Sequence, residues 1–298
     1  YGVDGAAVAR SWGDKILLLL IQQQQQQEHE QQSSSYWPNG DVNAWLNPGG
    51  HFHIPALLVS AASTALLLDG VQESKHVSNF ITTLKMALVA FMIVGGLVLF
   101  QSSNATFRPM APLGARGVLR GATSSFFGYL GYDEVCVVAG EALHPARDMP
   151  RAVLGTIAIV TVCYILAAVA LTGMVPYASI DATSGFPQAF EYRNLHWAAQ
   201  LTAFGEVITL PVVVLISLMA QPRLLLGLAR DGLLPASMAR LDAKGNLWNA
   251  TLVSGVGMTM IAAVVPFTYL DDLISAGILL AFSMTNSCLV LLRCEAVQ

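Results

Sequence analysis

The chain has 298 residues, of which 54% are hydrophobic and only 11% charged, and its mean hydropathy is +0.57. That is too little polar surface to cover a soluble globule. The net charge of -4, the pI near 5.8 and the lack of any Lys/Arg run longer than a pair exclude the electrostatic footprint of a nucleic-acid-binding protein. The expected class is an all-α integral membrane protein crossing the bilayer several times.

The chain opens "YGVDGAAVARSWGDK", without Met, and stops at "LLRCEAVQ" just after an apolar run; no signal peptide is visible, and both ends are expected to be truncated. The apolar run 16–21 is the expected end of an earlier helix, so residues 1–21 are assigned to a helix end. "QQQQQQEHEQQSSS", from Gln22, is low complexity and cannot build a core, which predicts a disordered non-cytoplasmic loop over 22–51. Runs long enough to cross a ~30 Å hydrocarbon core follow at 52–68, 80–100, 118–140, 153–175, 197–219, 250–267 and 273–292. The pattern predicts seven full spans and part of an eighth, a membrane core over 52–292 and a cytoplasmic tail over 293–298.

Short-loop Lys and Arg set the orientation. Lys75, Arg147, Arg151, Arg223, Arg230, Arg240, Lys244 and Arg293 lie on one side, against Lys15, Arg108, Arg116, Arg120 and Arg193 on the other, so the first set is assigned to the cytoplasm. The sequon at Asn104 then falls outside, and the one at Asn249 inside. Cys136, Cys163, Cys288 and Cys294 lie in or beside apolar runs without a second thiol at metal spacing, which marks them as inert.

The third span, "GATSSFFGYLGYDEVCVVAGE" from Gly121, carries Gly128 and Gly131 at mid-depth and then the acidic pair Asp133 and Glu134. Two explanations stand. Small residues let a neighbouring helix pack close, or the glycines unwind a helix whose free backbone lines a cavity. Two carboxylates this deep favour the second. Carbonyls around Phe126 and Phe127 then sit at the negative end of the first half-helix, suited to a substrate ammonium, and Asp133 is placed to cap the second half.

"FFGYLGYDEVCVVAGEALHPARDMPRAV" from Phe126, "AQPRLLLGLARDGLLP" from Ala220, "GVQESKHVSN" from Gly70 and "YGVDGAAVARSW" from Tyr1 together resemble the cationic amino acid transporter branch of the amino acid–polyamine–organocation superfamily. The resemblance covers nearly the whole chain outside the glutamine-rich insert. It implies part of a five-plus-five inverted-repeat transporter fold, with helices one and six broken around a midplane amino-acid site. On that map the chain begins near the end of helix three and stops after helix ten, so helix one is expected to lie outside it and the piece alone is not expected to transport.

Carried over by position, the resemblance implies that Phe127, Gly128 and Leu130 offer carbonyls to the substrate amino group beside Phe126 and Gly131, and that Tyr132 gates the site. Glu141, Pro145, Arg147 and Pro150 match a cytoplasmic motif of the family. The chain departs from the family at Gly140, where relatives carry an acid, at Pro211, and at Glu134 and Glu206. Carboxylates at 134 and 206 would favour a cationic substrate side chain. Lys85, the lone charge in "NFITTLKMALVAFMIVGGLVLF", aligns with the fifth-helix lysine that stands in place of a sodium ion in proton-coupled bacterial relatives. Lys85 has two explanations: its stem snorkels to the cytoplasmic interface, or it lies between helices, where burial disfavours the ammonium and lets it exchange a proton.

The expected partners are an amino acid substrate, protons and membrane lipids, in a plasma or vacuolar membrane, with no cofactor, metal or nucleic acid. His51 and His53 are half of a metal pattern at most, the other histidines being scattered, and no P-loop occurs. An intramembrane aspartyl protease built on Tyr132 and Asp133 lacks a second Asp on another span, since Asp271 and Asp272 lie at a helix boundary and Asp231 at a cytoplasmic end. A non-transporting scaffold or truncated product is the remaining alternative.

Overall fold

The computed structural model describes residues 2–30, 42–48, 52–70, 75–104, 113–129, 131–132, 134–137, 142, 144–180, 184–242 and 246–295. Among them there is no β-strand. The α-helices are α1 (Gly2–Glu30), α2 (Val42–Leu46), α3 (Ile54–Leu68), α4 (Lys75–Val98), α5 (Gly114–Ser125), α6 (Glu134–Val137), α7 (Pro145–Met174), α8 (Phe186–Tyr192), α9 (His196–Arg230), α10 (Trp248–Val264) and α11 (Phe267–Glu295).

Asn79–Val98, Pro145–Met174, His196–Arg230 and Phe267–Cys294 are long and apolar enough to cross a membrane, while Ile54–Leu68 and Trp248–Val264 are shorter apolar helices. The span expected over 118–140 is interrupted. Two boundaries differ from the sequence expectation. Residues 22–30 continue α1, where a loop was expected from Gln22, because Gln and Glu are good helix formers and extend a nucleated helix at little cost. The helix α11 starts at Phe267, so Asp271 and Asp272 lie inside it.

Helix α1 lies at the centre, against α3, α9, α10 and α11. Its Ala6, Ala7 and Ala9 are fully buried and meet Ala56, Val59, Val214, Leu218, Met258, Ala262 and Leu270 in one cluster. Small side chains let the helices approach closely, which is how spans gain contact when burial from water supplies no drive. A Cβ at Gly5 would come 2.6 Å from the Met258 sulfur.

The second group packs α4 along α7. Its cluster holds Met174 and Val175 at the end of α7, Ala189 and Phe190 of α8 and Ala198 of α9, with Phe91 of α4 and Leu99 just after it packed against them. Helix α9 therefore belongs to both groups. Several buried hydroxyls bond back to their own helices, as Ser60 Oγ to the Ala56 carbonyl at 2.7 Å and Thr202 Oγ1 to Ala198 at 2.8 Å, which satisfies them where water is absent.

Candidate functional site

The third predicted span breaks where the glycines fall. The α-helix ends at Ser125, and a 3-10 turn runs over Phe126–Tyr129. The backbone takes φ 101° at Gly131, a left-handed value that only glycine adopts freely, and helix resumes at Glu134. Leu130 and Asp133 lie outside the described residues, as do the side chains of Phe127 and Glu134, so the capping role assigned to Asp133 stays an expectation.

An interrupted helix leaves carbonyls without intrahelical donors. One of them, that of Gly128, accepts a 2.6 Å hydrogen bond from the Tyr164 hydroxyl of α7. The Tyr164 ring also meets Tyr129 edge-on at 5.5 Å. From the other side Phe282 of α11 contacts Phe126 at 6.2 Å and Tyr132 at 5.6 Å. The break is thus held between α7 and α11 by aromatic contacts that fix ring orientation. Tyr164 and Phe282 were not singled out by sequence, because an aromatic inside an apolar run carries no signal until the fold shows what it faces.

A second polar region lies on α1. Lys15 forms an ion pair with Glu206 of α9, and Trp12 Nε1 donates to the Val207 carbonyl at 2.9 Å. Glu206 was expected to face a substrate side chain; it faces a lysine of its own chain. Lys85 of α4 is half-buried, on the helix that meets α9 beside Glu206. Lys85 is six residues into the apolar span that opens at Asn79, or ~9 Å of helix rise.

His53 is fully buried and caps α3, with Nδ1 accepting from the Ala56 N–H at 3.3 Å. Its Nε2 stands 3.1 Å from Asp14 Oδ1 without the alignment of a hydrogen bond, and Asp14 lies 4.0 Å from Arg10. Arg10 Nη1 and the His53 N–H both donate to the Ala263 carbonyl, at 3.4 and 2.8 Å, tying α1, α3 and α10 together. The half metal pattern at His51 and His53 resolves into a structural cap at His53, and His51 lies outside the described residues. No group of three His, Cys, Asp or Glu suited to a metal occurs among the described residues.

Residues 35–297 match the amino acid permease family. The chain is 31% identical over 246 residues to the methylthioribose transporter of Bacillus subtilis strain 168, an alignment that takes in 82% of this chain and 53% of the relative. It is 30% identical over 244 residues to a branched-chain amino acid permease of the same organism, covering 81% and 52%. With cationic amino acid transporter 1 of Arabidopsis thaliana it shares 31% over 294 residues, covering 98% of this chain and 47% of the relative. The chain spans about half the length of the curated relatives it matches. With its long apolar helices it is a multi-pass membrane protein, and it belongs to the amino acid permease family of the amino acid–polyamine–organocation superfamily.

Proposed function

We propose that the full-length protein is a secondary active transporter of amino acids, with Lys85 as its proton-coupling group. The observation that carries this is the interrupted helix: Gly128 offers its carbonyl in a break flanked by α7 and α11. Carbonyls of Phe127, Gly128 and Leu130 take the substrate amino group, Phe126 and Gly131 shape the break, Tyr132 gates it, and Asp133 caps the half-helix that follows. A carbonyl freed from a helix C-terminus carries partial negative charge and suits an ammonium. Membership of a permease family supports transport over a protease or an inert scaffold.

For Lys85, the close approach of α4 to α9 beside Glu206 supports a group between helices over a snorkelling one. A lysine there can carry a proton when the site faces one side and lose it when the site faces the other. Uptake by Lys85→Ala in proteoliposomes under an imposed pH gradient tests this. Loss of concentrative uptake is expected; accumulation equal to the parent's overturns the coupling role. A preference for cationic side chains is a second reading, favoured by the similarity to several plant cationic amino acid transporters and by the carboxylate at 134.

A further inference from the structure

Three charged side chains on three helices gather around the middle of α9. Val214 and Leu218 of this helix belong to the buried cluster of α1, α3, α10 and α11, and Ala198 belongs to the cluster of α7 and α8. Glu206 lies between these positions, on the seam of the two groups. Lys15 reaches it from the first group, and the Trp12 bond to Val207 pins α1 to α9 beside the pair. Lys85 approaches from the second group: α4 meets α9 so closely that a Cβ at Gly205, next to Glu206, would come 2.6 Å from Leu88, one turn beyond Lys85.

Lys15 and Glu206 are both largely buried, with 19% and 21% of their side chains exposed. A buried carboxylate gains most from one well-placed cation, and two ammoniums compete for it. Of the other charged groups around α9, Asp4 of α1 accepts a hydrogen bond from Ser217 Oγ at 3.2 Å, about three turns along the helix from Glu206. Asp14 and Arg10 of α1 are engaged at His53. Helices α3 and α10 carry no charge, Glu191 of α8 is exposed, and Asp271 and Asp272 lie on α11, which meets chiefly α1 rather than α9.

We infer that Glu206 is a shared counter-ion that passes between Lys15 and Lys85, which makes Lys15 a positioning residue for the coupled step; this rests on the proton-coupling role of Lys85. Protonated Lys85 draws the Glu206 carboxylate across the seam and loosens its hold on Lys15. When Lys85 gives its proton to the open side, the neutral amine no longer competes, and Glu206 returns to Lys15. Because Lys15 moves with α1, α3 and α10 and Lys85 with α4 and α7, each exchange biases how the two groups sit against each other.

The experiment uses the full-length protein in proteoliposomes and reads the pH midpoint of substrate uptake. Lys15→Gln leaves Glu206 to Lys85 alone and is expected to raise the midpoint by about one pH unit. Glu206→Gln removes the counter-ion and is expected to lower it, and Lys15→Arg is expected to keep the parent value. If Lys85→Ala loses gradient-driven accumulation while Lys15→Gln and Glu206→Gln both keep the parent midpoint, the exchange is overturned and the coupling role stands. If Lys85→Ala accumulates substrate as the parent does, both fall. Should Lys15→Gln fail to fold, judged by thermal unfolding in detergent, the direction of the Glu206→Gln shift decides alone.

Discussion

The Tyr164 hydroxyl donates to the Gly128 carbonyl at 2.6 Å, across 36 residues of sequence and from α7 to the break in the third span. A carbonyl has two acceptor directions. The tyrosine uses one and so holds the peptide plane in place, and the proposed substrate ammonium would take the other. Tyr164→Phe removes only the hydroxyl. A neutral hydrogen bond is worth about 1 kcal/mol net, so the variant is expected to bind substrate about fivefold more weakly, with a higher KM and a smaller change in maximal rate. An unchanged KM would show that the carbonyl is positioned without the tyrosine.

Gly131 tests the break itself. At φ 101° an alanine is strained by about 1–3 kcal/mol, which disfavours the geometry of the interruption. Gly131→Ala is therefore expected to abolish uptake while the protein still inserts and unfolds cooperatively. Full uptake by this variant would remove the left-handed residue from the mechanism.

How far the sequence exposed this site depended on the separation of its parts. Gly128, Gly131 and the acids at 133 and 134 stand within seven residues of one another, and a local pattern of helix breakers and a restart is legible without tertiary information. Lys15 and Glu206 are 191 residues apart, and nothing at either position indicates the other until α1 is laid against α9. The charge at Glu206 was visible, but its target was not: a carboxylate in an apolar span signals a partner without naming it. Likewise residues 22–30 were misplaced because composition argues against a packed core, whereas helix needs only propensity and a preceding turn to extend.

Packing between α4 and α7 depends on Gly96. A Cβ there would come 2.8 Å from Ala170 Cβ and 3.3 Å from the Ala170 backbone carbon, so the neighbour cannot yield by rotating a side chain. Gly96→Val is expected to cost about 1–3 kcal/mol through overpacking, read as a lower unfolding temperature in detergent. Adding Ala170→Gly should recover part of the loss, since the two positions share one contact. Equal destabilisation of the single and double variants would place the strain elsewhere.

The last expectation concerns substrate charge. Glu206 already has Lys15 as a partner, with Lys85 nearby, so the cluster as a whole carries no surplus negative charge to offer an arginine or lysine side chain. Glu134 is different in position: it opens the half-helix directly after the break, close in sequence to the carbonyls proposed to take the amino group. If the protein prefers cationic substrates, the preference should depend on Glu134. Removing one carboxylate from a charge-assisted contact costs about 1.5–3 kcal/mol, so Glu134→Gln is expected to lower the ratio of arginine to leucine uptake by at least about tenfold. Glu206→Gln should change that ratio by less than about twofold, even where it shifts the pH midpoint, because its charge is spent inside the protein. Competition uptake at fixed pH separates the two. A parent protein on which leucine competes as well as arginine has no cationic preference to explain, and a ratio that collapses in Glu206→Gln alone would mean that substrate displaces Lys15 from its carboxylate.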